Sequence, residues 1–427
     1  MSKEYDIIII GGGLSGLTAG IALQRKGRRV AIATSGPSTL NTFSGSLELL
    51  GYDSRERPIA HPLDAIASLP PTHPYSKIGT DRLALLTQEA QALLGEAGIM
   101  LKGNSAANHW RITPMGVAKP AWLTLDDCLT SDDGTTLPLS NATIINIAGF
   151  LDFPVEFIRA GLEQMSVHTS ICTLPIKAMQ TRRNSQYETR ATTIARIMDN
   201  DDILHDFADA VSASCTANGN SAKQMILLPA VFGPTGNEAL TKLRNQIESP
   251  VYVIATLPPS LLGMRLQTQL RNHFTQLGGK IFHDARVTAG TIRNNEITSI
   301  ATGYSETVEA ERYILATGSF QSHGLVAGYR RVIEPIFGLD IDTNAKASPQ
   351  GGLATGSFFE PQPFMTYGVH TDDAFHPLKS GLPVNNLYAI GSILSGHNTH
   401  HQGDGTGVSM LTALAVAQEI EQSFPKP

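Results

Sequence analysis

Cysteine is scarce in this chain of 427 residues: Cys128, Cys172 and Cys215 are the only three, each more than 40 positions from the next. That spacing excludes a disulfide framework and a CxxC metal site, and it fits a reducing compartment. It also leaves too few thiolates for the all-cysteine ligand set of an iron–sulfur cluster. No stretch approaches the roughly 18 consecutive apolar residues of a membrane span. A basic excess is missing too, because the formal net charge is −6, so nucleic acid is excluded as an expected partner. The start of the chain lacks the basic-then-apolar-then-small pattern of a signal peptide; its apolar segment leads into glycines and a helix. A cytoplasmic protein is expected. With 41% hydrophobic and 16% charged residues, the composition is that of an ordinary globular chain, long enough for a large α/β domain and a smaller lobe.

The most informative segment present is N-terminal. Tyr5 to Ile10 is a β-branched run typical of a strand buried on both faces, and it enters Gly11-Gly12-Gly13-Leu14-Ser15-Gly16. Leu14, Leu17, Ile21 and Leu23 then give an apolar helical face, Lys26-Gly27 closes it, and Arg28 to Thr34 reads as a second strand. This βαβ unit predicts nucleotide binding. Gly11 would make the tight turn, Gly13 would let the backbone approach a pyrophosphate, and Gly16 would allow close helix-to-strand packing. The helix N-terminus would offer free N–H groups to phosphate. The acidic residue expected about 20 residues on, which grips a ribose hydroxyl, is missing. Its place is taken by Ala33-Thr34-Ser35, and Thr34 is the weaker substitute.

Two later segments turn this loop toward a flavin. Glu311 to Gly318 is a strand ending in Ala316-Thr317-Gly318, after a stretch from Ile281 to Val308 that reads as a meander. Asn386 to Ser392 is another strand into a glycine turn at Gly391, followed by a Gly-rich loop with Gly403, Asp404, Gly405 and Gly407, then a helix from about Val408 to Gln422. A helix N-terminus there would favour the negative charge that collects on an isoalloxazine ring during reduction. A nicotinamide enzyme does not need this third element.

Between these lie the hydroxyl-rich loop Thr39 to Leu50, with Ser44, Gly45 and Ser46, and the proline-stiffened His73-Pro74-Tyr75 ahead of a helix from about Thr80 to Ala97. Residues Asn104 to Leu139 predict a polar surface hairpin region. Strands at Thr143 to Ala148, Gln224 to Pro229 and Val251 to Thr256, alternating with helices near Pro154 to Met165, Ala191 to Met198 and Gly236 to Gln246, predict an inserted α/β lobe. Ser212 to Ser221 reads as a linker. The expected fold class is therefore α/β: a Rossmann-like, glutathione-reductase-like flavin-binding domain, residues 1–100 plus 270–427, with an inserted α/β lobe at 101–269.

The GGGLSGL loop, Phe43-Ser44-Gly45-Ser46-Leu47, His73-Pro74-Tyr75-Ser76, Leu257-Pro258-Pro259-Ser260 with Gly263-Met264-Arg265-Leu266-Gln267, and Leu387 to Ser392 together resemble the B-subunit family of anaerobic glycerol-3-phosphate dehydrogenases. The likeness runs in order over nearly the whole chain. It implies a flavin subunit carrying FMN that works beside a second flavin subunit and a membrane-bound iron–sulfur subunit. Together they would oxidise sn-glycerol 3-phosphate to dihydroxyacetone phosphate and pass electrons to menaquinone, with this chain held at the membrane by a partner. FMN has no adenosine ribose, which suits the missing acid; it also has no pyrophosphate, which the glycine loop is built to hold, so FAD stays open.

Such a reaction needs a base for the C2 hydroxyl and cations for the phosphate. Arg265, near the start of a helix after Pro258-Pro259, could hold phosphate through two N–H groups; the competing reading is a structural arginine paired with a carboxylate. His397, His400 and His401 lie in the loop before the last helix, where one of the three, His400 foremost, is a candidate for proton transfer against a purely polar loop. His73 is a similar candidate, against a capping role beside Pro74. No metal site is expected, because adjacent loop histidines without helical spacing are poor ligands. The cluster Arg182, Arg183, Arg190 and Arg196 reads as a solvated face or a partner contact. Two other functions stay open: a stand-alone flavin oxidoreductase for another substrate, and an electron-transfer or assembly subunit that binds flavin without turning over substrate.

Overall fold

Four consecutive isoleucines, Ile7 to Ile10, are 0–3% exposed, as befits a strand covered by helices on both faces. The computed structural model that shows this describes residues 4–180, 189–217, 223–303, 307–328, 331–343, 353–357, 359–360 and 362–424. Tyr5–Ile10 is the middle strand of a five-stranded parallel sheet. The order is Lys280–Phe282, Val30–Ala33, Tyr5–Ile10, Ala310–Leu315, Leu387–Ala389. Ile9 pairs with Ile32 on one side and with Ile314 on the other. The strand Lys280–Phe282 therefore belongs to this sheet, and only Val287–Arg293, Glu296–Thr302 and Thr307–Val308 form the expected antiparallel meander.

Three helices support the glycine loop. Leu14–Arg25 packs against both Leu261–Gln276 and Gly405–Ser423. The first of these contacts is close because Gly20 has no side chain: a Cβ there would stand 2.9 Å from the Phe274 ring. The middle of the last helix is buried all round, with Val408, Met410, Leu411, Leu414 and Val416 all at 0% exposure, while its final turns carry Gln418, Glu419, Glu421 and Gln422. It begins at Gly405 rather than near Val408, so Gly405 and Gly407 lie in its first turn and Asp404 is its N-cap residue.

The expected inserted lobe contains a second parallel sheet, ordered His168–Leu174, Asn141–Ile147, Met225–Pro229, Val251–Ile254. The strand His168–Leu174 and the helix Asp201–Ala217 are additions to the elements expected from the sequence. That helix takes in residues 212–217 of the expected linker, while 218–222, like Arg182 and Arg183, lie outside the described residues. The helix Leu261–Gln276 continues through the expected boundary at residue 269. At the other boundary, Leu101–Lys102 pairs with Leu123–Leu125, which pairs in turn with Ser46–Leu47. Within the region expected to be a polar surface hairpin, His109–Ile112 does pair with Ala118–Ala121, but Trp122, Leu123, Leu125 and Leu129 are 0–4% exposed, so the stretch after the hairpin is core rather than surface because its apolar side chains pack inward.

No helix among the described residues is long and apolar enough to cross a membrane. Nor do the described residues contain a group of three or more His, Cys, Asp or Glu side chains that could hold a metal ion.

Candidate functional site

The glycine loop has two kinds of glycine. A Cβ on Gly11, whose φ is +119°, would strike the Ala316 carbonyl, and one on Gly16 would strike the Gly11 carbonyl. The fold itself demands both. A Cβ on Gly13 would meet only Ser38 Cβ, at an unstrained 3.6 Å, so the protein leaves that approach open for something else. Gly13 is the N-cap of Leu14–Arg25, with no side-chain cap and no acidic residue in the first turn. Ser15 is buried in that turn beside Gly391. On the neighbouring strand end, Thr317 Oγ1 is buried without a hydrogen-bond partner, an arrangement a bound ligand would relieve. Free helical N–H groups, an open backbone face and an orphaned hydroxyl fit the phosphates of a nucleotide cofactor.

A cavity opens near each end of this loop. The first, about 410 Å³, lies past the end of the second strand and is lined by Thr34, Gly36, Asn41, Gln267, Arg271 and His283 among others. Gln267 Nε2 reaches the Gly12 carbonyl at 3.3 Å. Arg271 Nε is buried without a partner, and burial with no compensating anion pushes its guanidinium pKa down. The second cavity, a cleft of about 510 Å³, is lined by Leu14, Ser44, Ser46, Ser392, His397, His400 and Gly405 among others. Gly318 lies beside Ser322 and Ser392 at the rim of that cleft. Gly45, Gly391 and Gly407 serve packing: Gly45 lies against Leu262 and Cys128, Gly391 N donates to Thr412 Oγ1 at 3.0 Å, and Gly407 N to the Glu48 carbonyl at 2.8 Å.

Two cations in the cleft wall carry no local sequence signal. Arg111 and Lys119 are directly opposite each other in the His109–Ile112/Ala118–Ala121 hairpin, and both line the cleft. Like charges at opposed positions destabilise a hairpin unless an anion lies between them. Glu48 accepts from Arg111 Nη2 at 3.1 Å and from Thr406 Oγ1 at 3.1 Å, which neutralises only one cation. Arg111 Nε is buried and unpartnered, and Lys119 makes no ion pair with the described residues.

Of the residues singled out from sequence, Arg265 is not in the cleft. It is 4% exposed, and its Nη2 donates to the fully buried Asp127 at 2.7 Å while Nη1 donates to Asn237 Oδ1 at 3.0 Å. Its geometry is that of the structural arginine, with both arms already engaged. His73 is fully buried at the N-cap of Pro74–Ile78, so it has no route to a substrate of its own. Its Nδ1 accepts from Tyr75 N at 3.1 Å, which leaves a proton on Nε2 to donate to Asp404 Oδ2 at 3.1 Å. Burial pushes the His73 pKa down, against the opposing pull of Asp404. Asp404 is also 0% exposed; burial raises its pKa, but His397 and His73 outweigh that and hold it below the usual carboxylate range. His397 Nδ1 lies 3.3 Å from Asp404 Oδ1. His400 is exposed at the cleft rim in the short helix Thr399–Gln402, and His401 pairs outward with Glu56 at 2.8 Å.

The FAD binding domain family matches residues 6–408 of the chain. A protein of Yersinia pseudotuberculosis serotype I, strain IP32953, named as the B subunit of anaerobic glycerol-3-phosphate dehydrogenase, is 39% identical over 426 residues, covering 98% of each chain. One of the same name from Pectobacterium atrosepticum is 38% identical over 421 residues, again covering 98% of each. Among solved structures, 3-ketosteroid Δ1-dehydrogenase from Sterolibacterium denitrificans aligns over 99% of this chain and 100% of its own, at 11% identity and a TM-score of 0.43. The matched family is an FAD-binding one, so the expected preference for FMN gains no support from it.

Proposed function

The chain belongs to the FAD binding domain family and to the B subunits of anaerobic glycerol-3-phosphate dehydrogenases, and from that membership we propose that it binds FAD and oxidises sn-glycerol 3-phosphate to dihydroxyacetone phosphate. The observation that carries this reading is the opposed pair Arg111 and Lys119 in the wall of the cleft beside the glycine loop. A small anion is what such a pair recognises, and a phosphate monoester offers enough oxygens for both cations.

FAD is favoured over FMN because there is a cavity near each end of the loop. The cleft would take the ring, the loop the pyrophosphate, and the 410 Å³ cavity the adenosine half. There Arg271, Gln267 and Asn41 would supply donors to ribose oxygens in place of the missing acidic acceptor. When bound, the flavin supplies a ring that accepts a hydride. The chain's own residues hold the substrate phosphate at Arg111 and Lys119, line the ring site with Ser44, Ser46 and Ser392, and leave His397 at the cleft surface.

Electrons leave through partners in this reading: a second flavin subunit and a membrane-bound iron–sulfur subunit that passes them to quinone, with the chain held at the membrane from the cytoplasmic side. The naming of the relatives as B subunits supports assembly of that kind. The test has two parts. Mass analysis of flavin released on denaturation should give FAD, and an FMN mass overturns that assignment. Anaerobic addition of sn-glycerol 3-phosphate should bleach the flavin, while glycerol should not; equal responses to both would remove the phosphate-binding role.

A further inference from the structure

Three buried groups join one wall of the cleft to the interior. Asp404, the N-cap residue of Gly405–Ser423, has Oδ2 on His73 and Oδ1 on His397, at 3.1 and 3.3 Å. All three side chains are at least nine-tenths buried: His73 and Asp404 are at 0% and His397 at 4%. The rings of His73 and His397 meet edge to face, 6.1 Å between centroids. A carboxylate can only accept hydrogen bonds, so each imidazole presents an N–H to it. Tyr75 N–H fixes His73 as the Nε2–H form. Asp404 likewise fixes His397 as the Nδ1–H form, which leaves the His397 Nε2 lone pair without a partner among the described residues, on a ring that lines the cleft.

We propose that His397 is the catalytic base of this site, with Asp404 and His73 as the positioning residues that hold its ring and tautomer. This deepens the reading of the chain as a glycerol-3-phosphate dehydrogenase and rests on it. His397 Nε2 would take the C2 hydroxyl proton as the C2–O bond becomes a carbonyl, and the C2 hydrogen would leave with both bonding electrons as a hydride, for which a bound flavin would supply the two-electron acceptor. The imidazolium so formed is balanced by Asp404, in a pocket where a buried carboxylate is worth more than it is in water. The other charged or titratable groups facing this pocket are Glu48, Arg111, Lys119, Tyr52 and Tyr367 in the cleft wall, His400 at the rim and Tyr75 behind, whose hydroxyl lies 3.4 Å from the Asp404 carbonyl. None of them intervenes between His397 and Asp404.

Purified holoprotein is mixed anaerobically with sn-glycerol 3-phosphate and its flavin absorbance followed. His397→Gln should slow bleaching by about 100-fold or more, the usual contribution of a positioned base. His397→Ala should be slowed as much and partly restored by added imidazole. Bleaching of the His397 variants at the wild-type rate, or the absence of imidazole rescue at unchanged flavin content, overturns the proposal. The second readout needs no turnover. ¹⁵N NMR of the resting protein should show His397 as the Nδ1–H tautomer, and Asp404→Asn should abolish that preference. An Nε2–H tautomer in the wild type, or one tautomer population in both proteins, overturns the positioning role. The substrate reading fails differently: glycerol 3-phosphate would leave the wild-type flavin oxidised, while the NMR arm would still decide whether the relay exists. Because Asp404 is fully buried, the kinetic arm relies on His397, which lies at the cleft surface.

Discussion

Arg111 and Lys119 differ in how firmly they are held, and their substitutions should differ accordingly. Lys119 is exposed and makes no ion pair among the described residues, so Lys119→Ala should leave folding intact and raise the half-saturating glycerol 3-phosphate concentration in flavin reduction by about tenfold or more, the worth of one charge-assisted bond. An unchanged concentration dependence would remove Lys119 from the phosphate site. Arg265 should behave in the opposite way. Its substitution leaves the buried Asp127 carboxylate uncompensated, so Arg265→Ala should cost about 3–5 kcal/mol of stability, read from the urea midpoint. His109 offers a test by pH. Burial and the nearby Lys102 push its pKa down to about 4, below the roughly 6.5 of an unfolded histidine. The unfolded chain therefore takes up the proton first as pH falls, and stability should be full above about pH 6.5 and decline toward pH 4, by up to about 3 kcal/mol. His73, also shifted down, adds to the same slope. His109→Gln should flatten the slope in denaturation midpoints measured from pH 7 to 4; an unchanged slope would contradict this.

The glycine loop divides into positions the fold needs and one it leaves free, and that division can be measured. Gly11→Ala should fail to fold or lose most of its thermal stability, because a Cβ would strike the Ala316 carbonyl from a φ of +119°. Gly13→Ala should keep a near-native melting temperature without cofactor and lose flavin affinity by about tenfold or more, since its Cβ enters the space a phosphate would use. Equal flavin content in Gly13→Ala and wild type would contradict that. This element is legible in the sequence because its signals are local: Ile7 to Ile10, three glycines and an apolar helical face within some 20 residues. The cleft is not. His73 meets Asp404 across 331 positions, and Arg111 meets Lys119 only through a hairpin register that polar residues do not specify. Asp404 sits in a run of glycines that reads as loop; the helix that begins just after it depends on tertiary burial rather than on propensity. The same limit applies to Arg265, whose partner Asp127 lies 138 positions away.

At the scale of the whole molecule, the cofactor sheet is assembled from four separated parts of the chain, residues 5–33, 280–282, 310–315 and 387–389. The helix that supports the glycine loop from behind is the last one described, Gly405–Ser423. Deletion of that helix should therefore abolish flavin binding even though the glycine loop is retained, because it exposes the packed face of Leu14–Arg25. Retained flavin after the deletion would contradict this. The scarcity of cysteine acquires a meaning at this scale as well. A subunit that accepts two electrons must hand them on, and the proposed partners provide the route to quinone. The central claim, that this chain is itself a phosphate-recognising dehydrogenase rather than a passive flavin carrier, is tested most directly by anaerobic stopped-flow mixing of the isolated flavoprotein with sn-glycerol 3-phosphate. Bleaching of the flavin in a single turnover, much weaker with glycerol and weakened by Lys119→Ala, is the predicted result. A flavin that stays oxidised until a partner subunit is added would contradict it.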